Sequence, residues 1–248
     1  MDRVKTGIPG FDDLVDGGLP RNFNVLVTGA PGTGKTIFGI QYLYNGAKNG
    51  ENGVYISLDS PRERIIAQSK VLGMDLESLE KEKKILLLEI PTDMVVVNIF
   101  EMINSAVQSV GAKRLVFDNL INFAININQF VIPVKYKIEN SAAQGNGDPS
   151  KSSYQGDNSK RITYLLINEL SKFGTTNIII TASAENDEKM TADGVSEYAC
   201  DGVTRLHAVE GEENFNTLNI TKMRLTNVNR GLYNFRIGQG GISLVTDG

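Results

Sequence analysis

The chain has 248 residues, of which 41% are hydrophobic and 22% are charged, and these values are ordinary for a globular protein with one large α/β core. The formal net charge of −4 gives no overall basic surface that would indicate nucleic-acid binding, so any such surface has to be local. One cysteine, Cys200, excludes an intramolecular disulfide, and no apolar run reaches the length of a membrane span or a secretory leader, which favours a cytoplasmic protein.

Short apolar runs alternate with helical patterns through most of the chain. In chain order, the patterns predict a strand from Phe23 to Thr28, a helix from Thr36 to Ala47, a strand from Val54 to Leu58, a helix ending at Leu72, a strand from Ile85 to Ile90, a helix from Val97 to Val110, a strand from Leu115 to Asp118, a helix from Ile162 to Phe173 and a strand from Asn177 to Thr181. A capping box at Ser60-Pro61-Arg62-Glu63, with proline at the first helical position, predicts the start of the second helix.

The pattern changes after Gly202. Four strand-like segments follow with Gly-rich or Asn-rich joints and no helical period: Val203 to His207, Thr217 to Leu225, Gly231 to Ile237 and Ile242 to Val245. We read them as antiparallel strands that extend the sheet. The predicted fold class is therefore α/β, with a mostly parallel central sheet, helices on both faces and antiparallel C-terminal strands.

One segment interrupts the alternation. About forty residues separate Asp118 from Ile162, and Ser141 to Ser159 is rich in Gly, Ser, Asn, Gln and Asp without periodicity. A loop of this length in a compact domain is usually either functional or disordered. We predict a single domain over residues 1–248 with a loop insertion at about 122–160.

The strongest motif lies between the first predicted strand and the helix that follows it. It reads Gly29-Ala30-Pro31-Gly32-Thr33-Gly34-Lys35-Thr36. Glycines permit close backbone approach, so that successive N–H groups can surround phosphate oxygens at a helix N-terminus. Lys35 is predicted to reach the β- and γ-phosphates, and Thr36 to offer its hydroxyl to Mg²⁺. The motif predicts a P-loop that binds ATP.

A second candidate is the carboxylate at the end of Leu115-Val116-Phe117-Asp118. In P-loop proteins, an aspartate at the end of such an apolar strand helps to hold Mg²⁺. An ordinary aspartate at a strand end would look the same. Its place downstream of a P-loop in an α/β pattern favours Asp118 as a metal residue.

Further motifs resemble a family. Thr6-Gly7-Ile8-Pro9-Gly10-Phe11-Asp12-Asp13-Leu14, followed by Gly17-Gly18-Leu19-Pro20, resembles the opening of KaiC-like ATPases of the RecA superfamily, and Asp201-Gly202-Val203 and Lys222-Met223-Arg224 resemble later motifs of that family. The resemblance covers the chain except the insertion and corresponds to one domain of the tandem pair. It implies a RecA-like fold and a ring, usually a hexamer, with ATP between neighbouring subunits.

The resemblance also implies roles for a basic pair near the C-terminus. Lys222 and Arg224 match the residues that reach the γ-phosphate of the neighbouring subunit. Positions i and i+2 of a strand share a face, and Leu218 and Ile220 make the same face apolar earlier in the strand. On spacing alone, solvated charges that protect an edge strand from aggregation are the better reading, and the family resemblance favours an arginine finger instead.

The pair Asp59-Ser60 departs from the family pattern. Members carry two glutamates here, and the first, which matches Asp59, positions or activates water. Aspartate is the shorter carboxylate, and a displacement of ~1 Å can cost about 10²-fold in rate. Ser60 is also predicted to cap the following helix. We therefore expect ATP binding with slow hydrolysis, and Asp59 as a weakened base.

Other positions leave alternatives open. Thr181-Ala182-Ser183 could sense the γ-phosphate or cap the strand end, and His207 is predicted to be packed or surface-exposed. The insertion and its end contain basic and aromatic residues that could bind single-stranded DNA: Lys135, Lys137, Lys151, Lys160, Arg161, Phe130, Tyr136 and Tyr154. The acidic residues Glu139, Asp148 and Asp157 dilute this charge, so a disordered polar loop is the slightly favoured reading.

The sequence is compatible with three functions. The leading hypothesis is a Mg²⁺-dependent KaiC-like ATPase that acts as a ring oligomer. The alternative is a regulatory module of negligible turnover, in which ATP stabilises a ring that binds single-stranded DNA or a recombinase-like partner. A KaiC-like autokinase is disfavoured because the chain corresponds to one domain. No membrane partner is expected.

Overall fold

The computed structural model describes residues 1–90, 99–127, 158–184, 190–209 and 215–245. Within these ranges the strands are β1 (Arg3–Val4), β2 (Leu19–Pro20), β3 (Asn24–Gly29), β4 (Gly53–Ser57), β5 (Ile85–Glu89), β6 (Arg114–Asp118), β7 (Thr176–Ile180), β8 (Gly202–His207), β9 (Asn216–Met223), β10 (Tyr233–Gly238) and β11 (Gly241–Leu244). The helices are α1 (Lys35–Lys48), α2 (Arg62–Val71), α3 (Leu76–Lys81), α4 (Ile99–Val110), α5 (Leu120–Ile127), α6 (Asn158–Leu170) and α7 (Ser196–Ala199).

The central sheet follows the predicted fold class. In the described part of the chain it has nine strands in the order β11-β10-β9-β8-β3-β7-β6-β4-β5. The six strands from β8 to β5 are parallel, and β9, β10 and β11 are added antiparallel at one side. The carboxyl ends of the parallel strands therefore meet at one rim, where Gly29, Ser57 and Asp118 lie.

Both faces of the sheet are covered, which explains why its parallel strands have continuous apolar sequences. Alternate residues of one strand belong to different cores: Val25 and Val27 pack with α1, and Leu26 packs with α6 on the other face. Helices α1, α2 and α3 cover the first face, and β11 at the edge of the sheet also contacts α1. Helices α4, α5 and α6 cover the second. This arrangement fixes β3 at the centre of the molecule.

The N-terminal motif is structural. Asp12 Oδ1 accepts hydrogen bonds from the backbone N–H and the hydroxyl of Thr6, at 2.8 and 2.7 Å. The Thr6 hydroxyl in turn accepts from the backbone N–H of Ile8. These bonds close a turn that buries Ile8 and Phe11 against α1. The residues that carried the family resemblance here fold the segment onto the core and do not enter the candidate site.

The predicted capping box at Ser60 is wrong. Helix α2 begins at Arg62 with Pro61 as its N-cap, and no side chain of the cap residue accepts a bond from the helix. Instead, the Glu89 carboxylate at the end of β5 accepts a hydrogen bond from the Arg62 backbone N–H at 2.9 Å. An anion at a helix N-terminus is favourable. A partner from a distant strand replaced the local cap, which no local sequence pattern could indicate.

Helices α5 and α6 occupy the two ends of the segment predicted as an insertion at about 122–160, and the insertion itself stays a prediction. Helix α5 extends to Ile127, and α6 begins at Asn158, four residues before the predicted start. Residues 128–157 lie outside the part that the structure describes, so most of the basic and aromatic residues considered for DNA binding are not placed. Lys160 and Arg161 are exposed on α6.

The face assignment for the basic pair is also wrong. A β-bulge interrupts the pairing of β8 with β9, since Val203 pairs with Lys222 but Thr204 pairs with Ile220. The extra residue reverses the alternation, so that Met223 joins Leu218 and Ile220 in the first core. Lys222 therefore lies on the opposite face from Leu218 and Ile220. A strict alternation of faces along the strand, as assumed from the sequence, does not predict a bulge.

Candidate functional site

The loop from Gly29 to Thr36 joins the end of β3 to the start of α1. Gly32 and Gly34 have φ of 81° and 98°, which disfavours any residue with a side chain. A Cβ at Gly34 would also lie 2.8 Å from Ile237 Cδ1. Gly34 is the N-cap of α1 and supplies no side-chain acceptor, so the first N–H groups of the helix face outward without a side-chain cap.

Lys35 is held within this loop. Its ammonium group donates to the carbonyl oxygens of Gly29 and Ala30 at 2.9 and 2.8 Å. Burial lowers the pKa of Lys35, and the nearby carboxylates of Asp118 and Asp59 oppose that shift. Thr33 is buried and bonds to Ala30 O, which stabilises the loop from inside. The ammonium group and two carboxylates thus share one rim of the sheet.

Thr36 and Asp118 meet although they are far apart in sequence. The Thr36 hydroxyl donates to Asp118 Oδ2 at 2.9 Å, and the Tyr55 hydroxyl donates to the same oxygen at 2.6 Å. Asp118 is only 4% exposed. Burial raises its pKa, while the bonds from Tyr55 and Thr36 act in the opposite direction. A carboxylate and a hydroxyl at one point form a set of oxygen ligands of the kind that Mg²⁺ prefers.

Asp59 follows β4 at the same rim. Its side chain is exposed, and its Oδ2 accepts a hydrogen bond from Asn119 Nδ2 at 2.8 Å. The turn that carries Asp59 is fixed by Ser57, whose hydroxyl donates to Ser60 O and accepts from Ser60 N. Ser60 therefore contributes its backbone to the turn. The adjoining helix α2 is further held by the ion pair between Arg62 and Glu80.

Lys222 and Arg224 lie together but away from this loop. The Lys222 ammonium donates to the backbone carbonyls of Glu197, Tyr198 and Cys200, at 3.2, 3.4 and 2.6 Å. It thus binds the carbonyl end of α7, where a cation is favourable. Burial lowers its pKa, and the neighbouring Arg224 adds to that effect. Arg224 has 53% of its side chain exposed and pairs with Asp201 at 3.0 Å.

The basic pair and the loop lie at opposite ends of β3. The Asp201 backbone N–H donates to Asn24 O, at the first residue of β3, whereas the loop begins at Gly29, the last residue. Five residues of strand span roughly 17 Å. Neither Lys222 nor Arg224 is within reach of the loop of its own chain in this arrangement.

The two other predicted positions, Thr181-Ala182-Ser183 and His207, make local contacts. Thr181 N donates to Val27 O and Ser183 N to Gly29 O, so this segment runs beside the loop. The hydroxyl of Thr181 is buried and has no hydrogen-bond partner among the described residues. His207 is partly exposed, and its Nε2 lies 3.0 Å from Asn219 Oδ1. Cys200 is free and buried.

Sequence reasoning missed two residues of the candidate site. Tyr55 lies in an otherwise aliphatic stretch of β4, and only the register of β4 beside β6 brings its hydroxyl to Asp118. Asn119 directly follows Asp118, and its Oδ1 accepts from Asn122 N at the start of α5. The available signal was an N-cap residue before an apolar helix, and the local pattern gave no reason to connect that cap with Asp59.

The sheet order and the loop at the end of β3 define a P-loop α/β protein of the RecA-like kind. Residues 4–132 and 152–248 match the family model described as "ATPase: KaiC". The chain belongs to the KaiC ATPase family, and membership of this family implies nucleotide binding. Among the described residues, no helix is both long and apolar enough to cross a lipid bilayer.

Individual relatives agree with this assignment. A UPF0273 protein of Aeropyrum pernix is 30% identical over 264 residues, which cover 100% of this chain and 95% of the relative. The circadian clock oscillator protein KaiC of Synechococcus elongatus is 32% identical over 98% of this chain, which spans 44% of that protein. The crystal structure of a KaiC-like protein from Pyrococcus horikoshii has a TM-score of 0.77, with 31% identity and coverage of 99% of both chains.

Proposed function

We propose that this protein is a slow Mg²⁺-dependent ATPase that acts as a ring oligomer, with ATP bound between neighbouring subunits. The observation that carries the proposal is the distribution of charged groups along β3. Lys35, Asp118 and Asp59 meet at its carboxyl end, and Lys222 and Arg224 lie at its amino end. We further propose that residues 1–248 form one KaiC-like domain and that the ring is hexameric, as in the family.

The P-loop would hold the phosphates. Backbone N–H groups at the start of α1 offer donors to phosphate oxygens, and the helix dipole favours negative charge there. Lys35 would exchange its two carbonyl acceptors, Gly29 O and Ala30 O, for phosphate oxygens of higher charge. The glycines at 32 and 34 keep the backbone accessible at the point of contact.

Thr36 and Asp118 would hold the metal ion. Their oxygens are already in contact, and the Asp118 charge is penalised by burial, so a cation beside it would favour its ionised form. Bound Mg²⁺ would neutralise developing charge on the β- and γ-phosphate oxygens. Tyr55 on the neighbouring strand would keep the Asp118 carboxylate oriented.

Asp59 would position or polarise the attacking water. Like Asp118, it lies near enough to Lys35 for its charge to raise the pKa of the Lys35 ammonium group. Because aspartate is shorter than glutamate by one methylene group, its oxygens lie further from the nucleotide. A displacement of ~1 Å can reduce a rate by about 10²-fold, so we expect slow turnover.

Arg224 would complete the site of the next subunit. It is exposed, its own P-loop lies at the far end of β3, and Asp201 holds it at the amino end of the parallel strands. A cation supplied in this way can contribute about 10³–10⁵ in rate. Lys222 is less available, because three carbonyl groups already bind its ammonium. We therefore expect Arg224 to contribute more to turnover than Lys222.

Subunit mixing tests the proposal. Arg224→Ala should bind ATP normally and hydrolyse it poorly, and Lys35→Ala should lose tight ATP binding. Mixing Arg224→Ala with an excess of Lys35→Ala should restore part of the wild-type activity, because some interfaces then combine an intact P-loop with an intact arginine. Turnover is measured by phosphate release, and binding by calorimetry.

Both variants must first assemble, as judged by size-exclusion chromatography with light scattering. Assembled mixtures that stay as inactive as each variant alone would show that Arg224 does not act across an interface. A wild-type protein whose phosphate release equals that of Lys35→Ala would show that the protein is not an ATPase. These two outcomes can be told apart, because the comparison of wild type with Lys35→Ala requires no mixing of subunits.

A further inference from the structure

Asn119 links the two halves of the candidate site. Its amide nitrogen donates to Asp59 Oδ2 at 2.8 Å, and its amide oxygen accepts from the backbone N–H of Asn122 at 2.9 Å. The second bond caps the start of α5 and fixes which side of the amide faces the helix. With the oxygen used by the helix, the NH₂ group faces Asp59. The orientation of the donor is therefore set by secondary structure.

Asp59 has little else to hold its side chain. It is exposed, and Asn119 is its one side-chain hydrogen-bond partner recorded in the described part of the chain. Its backbone is fixed by the bonds of Ser57 to Ser60 and by its place at the end of β4. An exposed aspartate without a partner would populate several staggered rotamers. One charge-assisted hydrogen bond is enough to favour one of them.

We propose that Asn119 is a positioning residue, which holds the Asp59 carboxylate in the rotamer that acts on the attacking water. This inference rests on the proposed ATPase function. The contact with Asn119 offsets part of the loss of hydrolysis rate that is expected from the shorter carboxylate of Asp59. A short side chain held in one rotamer is better placed to act on the water than one that samples several. Asn119 itself need not contact the nucleotide.

A purely structural reading competes with this proposal. Asparagine is a favourable N-cap, and Asn119 could be present for α5 alone. The two readings separate because serine and aspartate are also good caps. Asn119→Ser keeps an acceptor for Asn122 N but cannot reach Asp59. Asn119→Asp keeps the shape and the cap and replaces the donor by a second carboxylate facing Asp59. Asn119→Ala loses both contacts.

The test compares these three variants with the wild type. Asn119→Ser should keep the wild-type denaturation midpoint and ATP affinity, with kcat lower by about tenfold or more, since small displacements at a reacting centre are costly. Asn119→Asp should keep the cap of α5 and lower kcat at least as far, because its carboxylate repels that of Asp59. Asn119→Ala should lose both kcat and stability. In an Asp59→Ala background, Asn119→Ser should cause no further fall in kcat, because its effect acts through Asp59.

A measurement without nucleotide makes the outcome independent of turnover. The three-bond couplings of Asp59 in selectively labelled protein report its χ1 rotamers: one in the wild type and an average in Asn119→Ser. Unchanged couplings, an unchanged kcat in Asn119→Ser, or a full further loss in the Asp59→Ala background would each overturn the proposal. Couplings that average as expected in a protein without ATP turnover would instead reject the ATPase function and leave the positioning contact standing.

Discussion

Asp118 receives hydrogen bonds from Thr36 and Tyr55 on the same carboxylate oxygen, and these two donors belong to different elements. Thr36 lies on α1 and arrives with the P-loop, whereas Tyr55 lies in the strand beside β6. Burial raises the pKa of the Tyr55 phenol well above its usual value, so the hydroxyl keeps its proton and stays a donor. The bond from Tyr55 therefore orients the Asp118 carboxylate even if the P-loop, and Thr36 with it, moves.

Tyr55→Phe tests this role. The substitution keeps the ring and removes the donor, and the expected loss of stability is roughly 1.5–3 kcal/mol, as for a hydrogen bond to a charged group. The Mg²⁺ concentration that gives half-maximal ATP turnover should rise about 10–100-fold, because partners of a metal-binding carboxylate orient it. A Mg²⁺ titration of turnover at saturating ATP measures the shift.

Tyr42 provides a matched control. It is also fully buried, and its hydroxyl donates at 3.0 Å to Thr176 O, at the opposite end of the sheet from Asp118. Tyr42→Phe should lower stability by roughly 0.5–1.5 kcal/mol, as for a bond to a neutral acceptor, and leave the Mg²⁺ dependence unchanged. If both variants shift the Mg²⁺ requirement equally, general destabilisation explains the effect and Tyr55 has no special role.

Among the secondary-structure elements, an ion pair joins the connection between α1 and β4, where Glu51 lies, to the start of β6. Arg114 has only 3% of its side chain exposed, and it donates to Glu51 at 2.7 and 2.8 Å, to Tyr42 O at 2.9 Å, and lies over the Tyr42 ring. Burial alone would raise the pKa of Glu51, but hydrogen bonds from Arg21 and Arg114 lower it overall. This cluster fixes the amino ends of the strands.

Glu51→Gln should destabilise the fold by roughly 1.5–3 kcal/mol at pH 7, because Arg114 stays buried with a weakened acceptor. The pKa of Glu51 is lower in the folded state, so its contribution is complete above the ordinary value of 4.5 and is lost as the pH falls through the folded-state value. The difference between variant and wild type should therefore be constant from pH 7 to about 5 and shrink at lower pH. Urea denaturation at each pH measures it.

Glu82→Gln is the control for this experiment. Glu82 pairs with Lys84 at 2.7 Å, but both side chains are about half exposed. Exposed pairs contribute little, so the substitution should change stability by less than about 0.5 kcal/mol at every pH. A loss in Glu51→Gln no larger than in Glu82→Gln would mean that Arg114 finds another acceptor.

Some of these elements could be predicted from the sequence, and others could not. The parallel sheet and the antiparallel C-terminal strands follow from hydrophobic periodicity, and the P-loop from its spacing. The bulge in β9 and the Glu89 cap of α2 depend on a neighbouring strand, so no local pattern encodes them. For the same reason Tyr55 and Asn119 were missed, since each acts on a residue that only the sheet register brings near.

For the molecule as a whole, we expect the polar part of the predicted insertion to be dispensable for folding. Deleting residues 141–157 should leave folding and ATP affinity intact, because this composition cannot bury a core, and the deletion stops before Asn158, where α6 begins. If the protein binds single-stranded DNA, binding should weaken on deletion and fall with added salt. Fluorescence anisotropy with a labelled oligonucleotide, over a salt series, measures this.

Steady-state hydrolysis with and without the same oligonucleotide separates the ATPase from the regulatory alternative. Stimulated turnover supports an ATPase coupled to DNA, and DNA binding with negligible turnover supports the regulatory module. Salt-independent binding, or a deletion without effect on binding, would show that residues 141–157 do not contact DNA. Lys135, Lys137, Lys160 and Arg161 remain in the deletion variant, so part of the basic character is retained.

The opposite placement of the P-loop and Arg224 along β3 has a consequence for how activity scales with protein concentration. An interface that joins two different ends of a chain is head-to-tail, and it closes into a ring or continues as a filament. Under the proposed arrangement a lone chain has no complete site, and an open row of n chains has n−1. Only closure gives every chain a working site. Specific activity should therefore rise cooperatively on concentrating the protein and level off when rings have formed, so dilution alone would switch the enzyme off.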